Sequence, residues 1–276
     1  MRRALDLVDD VAVRPDVRLD GGLVREIARR VLDGQSPLLT PGEYRRGENR
    51  VVDPDGTVVF TTPPSGDVPD LMASFTTWLR EGAAREHAVV AAAMAHLELV
   101  AIHPFNDGNG RTARALSRLL LLRGAYGLGG LVSLEAYLDG DRATYFAAIR
   151  ASLGAGYTAP YDATAFVSYF LGAMIRAADH VLARIRALGE VALVIRRDIV
   201  TGTIPNALMD GLAYAWVNRS VRPGDYQRLS GRSPASASRD LAAGVHAGYL
   251  VPSGRTRARV FLPGPRLLAV PAPGES

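Results

Sequence analysis

The sequence predicts a mainly α-helical protein with two short β-hairpins, arranged as one large helical domain followed by a smaller basic one. Three observations carry that prediction. Apolar residues recur at helical spacing through most of the chain, while strand-like stretches are confined to 51–62 and 249–262. With 276 residues and 48% hydrophobic composition there is ample apolar material for a core, and more length than one average domain uses. Charge changes character near residue 195: from there on the chain holds 11 arginines against 5 acids, and the remainder holds 21 against 23.

Composition closes several chemical routes. Cysteine is absent, which removes disulfides, thiolate metal sites and cysteine nucleophiles. All 32 basic residues are arginine, so a P-loop lysine, a Schiff-base lysine and a lysine general base are excluded. No uncharged, glycine-free apolar run approaches the roughly 18 residues a membrane span needs, and no signal-peptide pattern is present, so a soluble cytoplasmic protein is expected.

Residues 1–20 mix aspartates with short apolar runs and predict no defined element. Asp20 is the expected N-cap of a helix with Leu23, Val24, Ile27, Ala28, Val31 and Leu32 as its buried stripe. Val51-Val52, a turn at 53–56 and the run from Thr57 to Thr61 read as a β-hairpin. In a helical chain, an isolated hairpin with an unpaired edge is a docking place for an extended partner segment. Ala88 to Val100 is nearly free of breakers, with Val89, Val90, Ala93, Met94, Leu97 and Val100 at helical spacing, and Pro104 ends that helix. His87 and His96, isolated on it, read as hydrogen-bonded core or boundary residues. Ala115, Leu116, Leu119, Leu120 and Leu122 mark the next helix, which should stop at Arg123-Gly124.

Between these two helices lies the polar stretch Ile102-His103-Pro104-Phe105-Asn106-Asp107-Gly108-Asn109-Gly110-Arg111-Thr112-Ala113-Arg114. Glycines let successive backbone N–H groups turn toward one point, just where the second helix presents its unpaired amides, so Gly108, Asn109 and Gly110 form a candidate phosphate cradle. Arg111 and Arg114, three apart, share a helix face and can both reach a polyphosphate. Asp107 is placed to hold Mg2+, and His103 sits where an imidazole could take a proton from an incoming hydroxyl.

The string His103-Pro104-Phe105-x-Asp107-Gly108-Asn109-Gly110-Arg111-x-x-Arg114 resembles the signature of the Fic family. The resemblance extends over roughly residues 37–175, and it implies a Fic-type helical bundle with a β-hairpin flap. Pro41-Gly42-Glu43-Tyr44-Arg45 looks like the family's entry segment, and the hairpin like the flap whose edge aligns a target segment, here Val58, Val59, Phe60 and Thr61. The resemblance further implies that Tyr145 and Phe146, on one of two helices between Ser133 and Leu153, belong to a nucleobase pocket. Seven residues after Phe146 the family often has a polar side chain; here stands Leu153. Thr77-Trp78-Leu79-Arg80-Glu81-Gly82 fits the family's inhibitory helix motif literally, but it follows the flap inside the core domain, where the family does not place its inhibitor. A chain without self-inhibition, or one restrained by a separate partner or by homo-oligomerisation, is expected.

After a Gly, Tyr and Pro-rich loop, a long helix is expected from about 164 to 188, with Phe166, Phe170, Leu171, Met174, Ile175, Ala178, Val181, Leu182 and Ile185 on its buried side. Beyond it the pattern is helix near 205–217, helix near 224–230, and Ser233-Pro234 as N-cap and first residue of a third helix to Val245, with Gly248 after it. A hairpin around Pro252-Ser253-Gly254 follows. This resembles a winged helix-turn-helix, with Ser236, Ser238 and Arg239 facing outward and Arg255, Arg257 and Arg259 along the wing. DNA is one candidate partner of such a surface and polypeptide docking the other. The expected division is 1–36, 37–190 and 191–276.

Together these readings predict a Fic-type enzyme that uses ATP and Mg2+ to transfer AMP to a Ser, Thr or Tyr hydroxyl of a target protein, and of itself. His103 would be the base, Asp107 the metal ligand, and Arg111 and Arg114 the holders of the departing diphosphate. Transfer of UMP, GMP or phosphocholine is the chemical alternative. A Fic branch that transfers the terminal phosphate has lysine where Gly110 stands, which disfavours kinase activity. A DNA-binding regulator with a nucleotide-sensing Fic portion is the other class of function.

Overall fold

A computed structural model describes residues 1–35, 40–52, 58–126, 138, 141–254 and 259–269. It is mainly helical with two antiparallel hairpins, and it divides into two compact units, Met1–Ala178 and Asp179–Ser276. Among the described residues no helix is long and apolar enough to cross a membrane.

The first unit opens with a helix the sequence did not announce, α1 (Arg2–Ala12). It has no side-chain cap and buries Ala4, Val8 and Val11 at four- and three-residue spacing. So short a stripe is stable only where another helix supplies the opposite wall. α2 (Gly21–Val31) starts as expected, with Asp20 Oδ1 accepting from the Leu23 amide at 3.0 Å. Val24, Ile27, Ala28 and Val31 are buried, whereas Leu23 is only half-buried.

Strands β1 (Arg50–Val52) and β2 (Val58–Thr61) pair antiparallel, Arg50 with Thr61 and Val51 with Phe60, with a bulge between Val51 and Val52. The expected turn at 53–56 lies outside the described residues. α3 (Val68–Glu81) leads to α4 (Ala88–Ile102), which is apolar on every side and central to the unit. α5 (Asn109–Arg123) packs antiparallel beside it and ends at Gly124 as expected. The reason for glycine is space rather than backbone handedness: φ is −82°, and a Cβ there would lie 2.2 Å from that of Ala88.

α6 (Arg142–Leu153) is capped by Asp141, whose carboxylate accepts from the Thr144 amide. The helix expected just before it lies outside the described residues. α7 (Thr164–Val200) is 37 residues long, extending past the expected end near 188. One glycine, Gly189, weakens a helix by only about 1 kcal/mol, and the apolar pattern resumes with Val191 and Ile195, both buried. The expected stripe is also corrected. Phe166, Phe170, Met174 and Val181 are buried with Tyr169, Ala173 and Ala177, but Leu171, Ile175, Leu182 and Ile185 are exposed. Apolar residues there occupy two faces, and periodicity does not say which face is covered.

In the second unit, α8 (Leu208–Asn218), α9 (Pro223–Ser230) and α10 (Pro234–His246) precede β3 (Leu250–Ser253) and β4 (Val260–Pro263), and α11 (Pro265–Leu268) closes it. Ser233 caps α10 as expected, accepting from the Ser236 amide at 3.3 Å. Val221, between α8 and α9, forms a bridge with Phe261 of β4. Buried Asp240 on α10 accepts from Tyr226 of α9 at 2.9 Å and from Arg232 at 2.8 Å, which fixes the two helices against each other. Of the residues expected along the wing, Arg255 and Arg257 lie outside the described residues, and Arg259 is exposed.

Candidate active site

α4 ends because Pro104 cannot continue it, and His103 takes the terminal place in the left-handed conformation, φ 51° and ψ 56°. For a residue with a Cβ that conformation costs about 1–2 kcal/mol. Its amide donates to Leu99 O at 3.0 Å. Nδ1 lies 3.2 Å from Val100 O. A carbonyl only accepts, so Nδ1 carries the proton and Nε2 is left as the basic nitrogen. Burial pushes the imidazole pKa below its ordinary value, and the Arg45 guanidinium adds to that effect, while the hydrogen bond to Val100 and the Asp107 carboxylate oppose it. The ring is therefore neutral near pH 7.

The loop after His103 is closed by its own side chains. Asn109 Oδ1 accepts from the Phe105 amide at 2.9 Å, and its Nδ2 donates to Phe105 O at 2.8 Å, both inside the protein. Phe105 is buried against Tyr44. Gly108 has φ 80°, and a Cβ there would come within 3.2 Å of Val31 and Leu32, so α2 seats the turn from behind. α5 begins at Asn109, and its first-turn amides have no intrahelical acceptor. Asp107 stands before this helix start with its side chain 47% exposed and paired with Arg111 Nη2 at 3.0 Å.

A cavity of about 770 Å³ opens in front of the helix start. His103, Gly110 and Arg114 form one wall, Val59 and Phe60 of the hairpin with Val51 and Val52 a second, and Tyr145 and Phe146 of α6 a third. Asp107, Gly108, Asn109, Arg111, Val58 and Thr61 do not line it. Tyr145 is buried and its hydroxyl is 2.8 Å from His96 Nε2, so it offers the cavity ring surface rather than a polar group. Phe146 is 46% exposed, with the Arg142 guanidinium over its ring.

Sequence reasoning missed Arg142, Ile149 and Arg150 as cavity residues, while Leu153, expected seven positions after Phe146 from the family resemblance, does line it. Once Phe146 is placed there, spacings of three and four would have brought the missed residues to the same helix face. Among the described residues lining the cavity there is no carboxylate, so its charge is set by arginine.

The hairpin edge is partly occupied. Thr61 N donates to Ala155 O at 2.9 Å and Thr61 O accepts from Tyr157 N at 3.0 Å, a parallel bridge centred on Gly156. The expectation of an unpaired edge through Thr61 is therefore corrected: the loop after α6 covers that end, a pairing between segments nearly 100 positions apart that no local pattern announces. Tyr157 and Tyr161 both donate to Glu98 of α4, tying this loop to the helix that carries His103. His96 and His87 are hydrogen-bonded core and boundary residues, as expected, His87 meeting Tyr126 at 2.9 Å. Glu81 lines a separate surface depression with Ala73, Thr77 and Trp78.

The chain is similar to known proteins over part of its length. The Fic/DOC family model matches residues 18–121, so the match takes in α2 as well as the loop. Protein adenylyltransferase Fic of Aedes aegypti is 46% identical over 104 residues, 37% of this chain and 19% of that protein. The proteins of the same name from Culex quinquefasciatus and Drosophila ananassae are 46% and 44% identical over similar stretches. The chain thus spans about a fifth of the length of these relatives. Among solved structures, a Fic family protein from Desulfovibrio desulfuricans G20 shares the fold over 95% of this chain and 72% of its own, with TM-score 0.55 and 21% identity. A Fic domain containing signaling protein from Bacteroides thetaiotaomicron is 26% identical with TM-score 0.53, covering 64% of this chain and 67% of that one. Residues 18–121, which hold the loop and nearly all of the two helices that frame it, form a Fic/DOC family domain.

Proposed function

We propose that the chain transfers AMP from ATP to a Ser, Thr or Tyr hydroxyl of a target protein, and to one of its own. The observation that carries this reading is the shared cavity: the neutral imidazole of His103, the helix start at Gly110 and the Arg114 guanidinium face the same space as the hairpin and α6. Similarity to proteins named adenylyltransferases supports AMP as the group moved.

In this scheme the target hydroxyl oxygen bonds to the α-phosphorus, the bond from that phosphorus to the oxygen bridging to the β-phosphate breaks, and diphosphate leaves. His103 Nε2 takes the hydroxyl proton. Of the expected phosphate holders, Gly110 and Arg114 line the cavity and meet the nucleotide directly, the Gly110 amide donating to a phosphoryl oxygen as charge develops and Arg114 holding the departing diphosphate. Gly108, Asn109 and Arg111 stand outside its wall, the Gly108 amide and Arg111 both turned to Asp107, and they join only where Asp107 turns to a metal. Asp107, half-exposed at the helix start, fits the single carboxylate that Mg2+ takes alongside phosphate oxygens. Mg2+ bound there would neutralise phosphate charge. The target segment docks along β2 at Val58, Val59 and Phe60, short of Thr61, whose backbone already pairs with the 155–157 loop.

Incubation with ATP, GTP, UTP or CDP-choline and Mg2+, read by intact-mass spectrometry, tests the reading. Addition of AMP from ATP, lost in His103→Ala, is expected. Addition of another group corrects the donor, and the absence of any addition to itself or to proteins of a lysate ends the proposal.

For the second unit we propose a winged helix-turn-helix that binds DNA. The Val221–Phe261 bridge joins the segment before α9 to the hairpin, and Ser238 and Arg239 are exposed on α10. Binding to duplex DNA that weakens with salt and with Arg239→Ala is expected; a salt-independent response, or none, overturns it. Restraint by a separate partner or a second copy of the chain is consistent with Glu81 lying outside the cavity wall.

A further inference from the structure

We propose that Arg45 is a positioning residue, which yokes both stems of the hairpin to the main chain of His103 and so fixes the imidazole against the segment where a target docks. The inference deepens the transfer reading and rests on it for the role of His103.

Arg45 is only 2% exposed, yet it forms no ion pair among the described residues. Its guanidinium instead spends its donors on carbonyls from three segments. Nε donates to His103 O at 2.9 Å, Nη1 to Gly47 O at 3.0 Å and Nη2 to Pro63 O at 2.6 Å. Gly47 precedes β1 and Pro63 follows β2, so the two Nη groups grip the hairpin where it enters and where it leaves. The Arg45 amide also donates to Pro104 O at 2.8 Å. Two successive carbonyls, of His103 and Pro104, are thereby held by one residue.

Burying a cation without an ion pair is unfavourable, and burial lowers the pKa of this guanidinium, a shift that the Glu48 carboxylate opposes. The arrangement persists because the planar fork meets several fixed dipoles at once, which an ammonium on a flexible stem cannot do. The carbonyl held by Nε belongs to the residue whose left-handed conformation needs outside support. Rotation about its ψ would turn both that carbonyl and the Pro104 peptide away from Arg45. The charges facing the imidazole are Arg45 from the entry segment and Asp107 from the loop, with Arg114 on the same cavity wall. Arg45 does not line the cavity, so it acts through His103 and the hairpin rather than on the nucleotide.

The test compares Arg45→Lys and Arg45→Met with the unmodified chain by transfer kinetics, nucleotide affinity and NMR titration of the His103 ring. Arg45→Lys keeps the charge and loses the fork. It should lower kcat by about 10²-fold, the scale of an ångström misplacement, with ATP affinity within about threefold and the ring midpoint in place. Arg45→Met should in addition move that midpoint upward. If Arg45→Met does not fold, Arg45→Gln replaces it in the titration.

Unchanged kcat in Arg45→Lys overturns the proposal. So does loss of kcat and ATP affinity in parallel, which marks a residue that only holds the fold. If transfer fails to depend on His103 at all, the function reading falls first. The ring titration and the His103 and Pro104 backbone shifts then decide the positioning claim without any activity, and unmoved shifts in both variants reject it.

Discussion

The side-chain amide of Asn109 makes both of its hydrogen bonds to one residue, Phe105: Oδ1 accepts from the amide at 2.9 Å and Nδ2 donates to the carbonyl at 2.8 Å. This closes the loop from inside and sets where the α5 helix start points. Asn109→Ala leaves a buried donor and a buried acceptor unpaired, each costing about 1–3 kcal/mol. A lower melting temperature and loss of ATP affinity are expected together, by calorimetry and nucleotide titration. Unaltered affinity in this variant would mean that the loop holds its shape without the ring.

His103→Ala removes the proposed base and leaves the backbone contacts of that residue to Arg45 intact. Transfer should fall by about 10²–10⁴-fold, with the melting temperature nearly unchanged. Rates from mass-spectrometric time courses check this, and transfer at the original rate would remove the imidazole from the mechanism.

A base works in its unprotonated form, and burial holds the His103 pKa below 6.5. Activity therefore stays at its plateau near neutrality and declines only as pH falls through that depressed value. A pH profile of kcat/KM should show its acid midpoint below 6.5, and a midpoint above 7 contradicts the burial described.

His96 is fully buried, stacked on Phe166, and burial lowers its pKa to about 3. Unfolding restores a value near 6.5. Between the two values the unfolded chain binds a proton that the folded chain refuses, so stability is full above about 6.5 and declines as pH drops toward 3. Melting temperatures across this range should fall, and His96→Phe should flatten the trend while losing the contact to Tyr145. An equally steep acid decline in that variant assigns the effect to other groups.

Gly124→Ala brings a methyl group into the 2.2 Å gap beside Ala88. Forcing α4 and α5 apart at that point should destabilise the first unit by about 1–3 kcal/mol. Chemical denaturation checks this, and a neutral effect shows that the helix ends can part freely.

Local chemistry made much of this protein legible. The Asp20 and Ser233 caps, the stop at Pro104, the hairpin and the glycine after α5 are each decided by a few neighbouring residues, and all stand where the sequence puts them. The loop residues could be named because the whole string from His103 to Arg114 resembles the Fic signature; Asp-Gly and Asn-Gly by themselves mark ordinary turns. α1 escaped because its apolar residues, Ala4, Leu5, Leu7, Val8, Val11 and Ala12, mark no single stripe, and Ala4, Val8 and Val11 become the buried face only where α5 covers them. The covered face of α7 escaped because its apolar residues occupy two sides.

What the sequence determined by itself was the order of the main elements from α2 onward and the place of residues 103–114 as a polar loop between two apolar helices, since both follow from propensities and spacings within a few turns of chain. Only the tertiary structure decided which groups face the cavity, that residues 155–157 cover one end of the hairpin edge, and that Arg45 grips His103 across 58 positions of sequence. Those are meetings between distant segments, and their energy comes from desolvation and hydrogen-bond pairing that exist only after the chain has closed on itself.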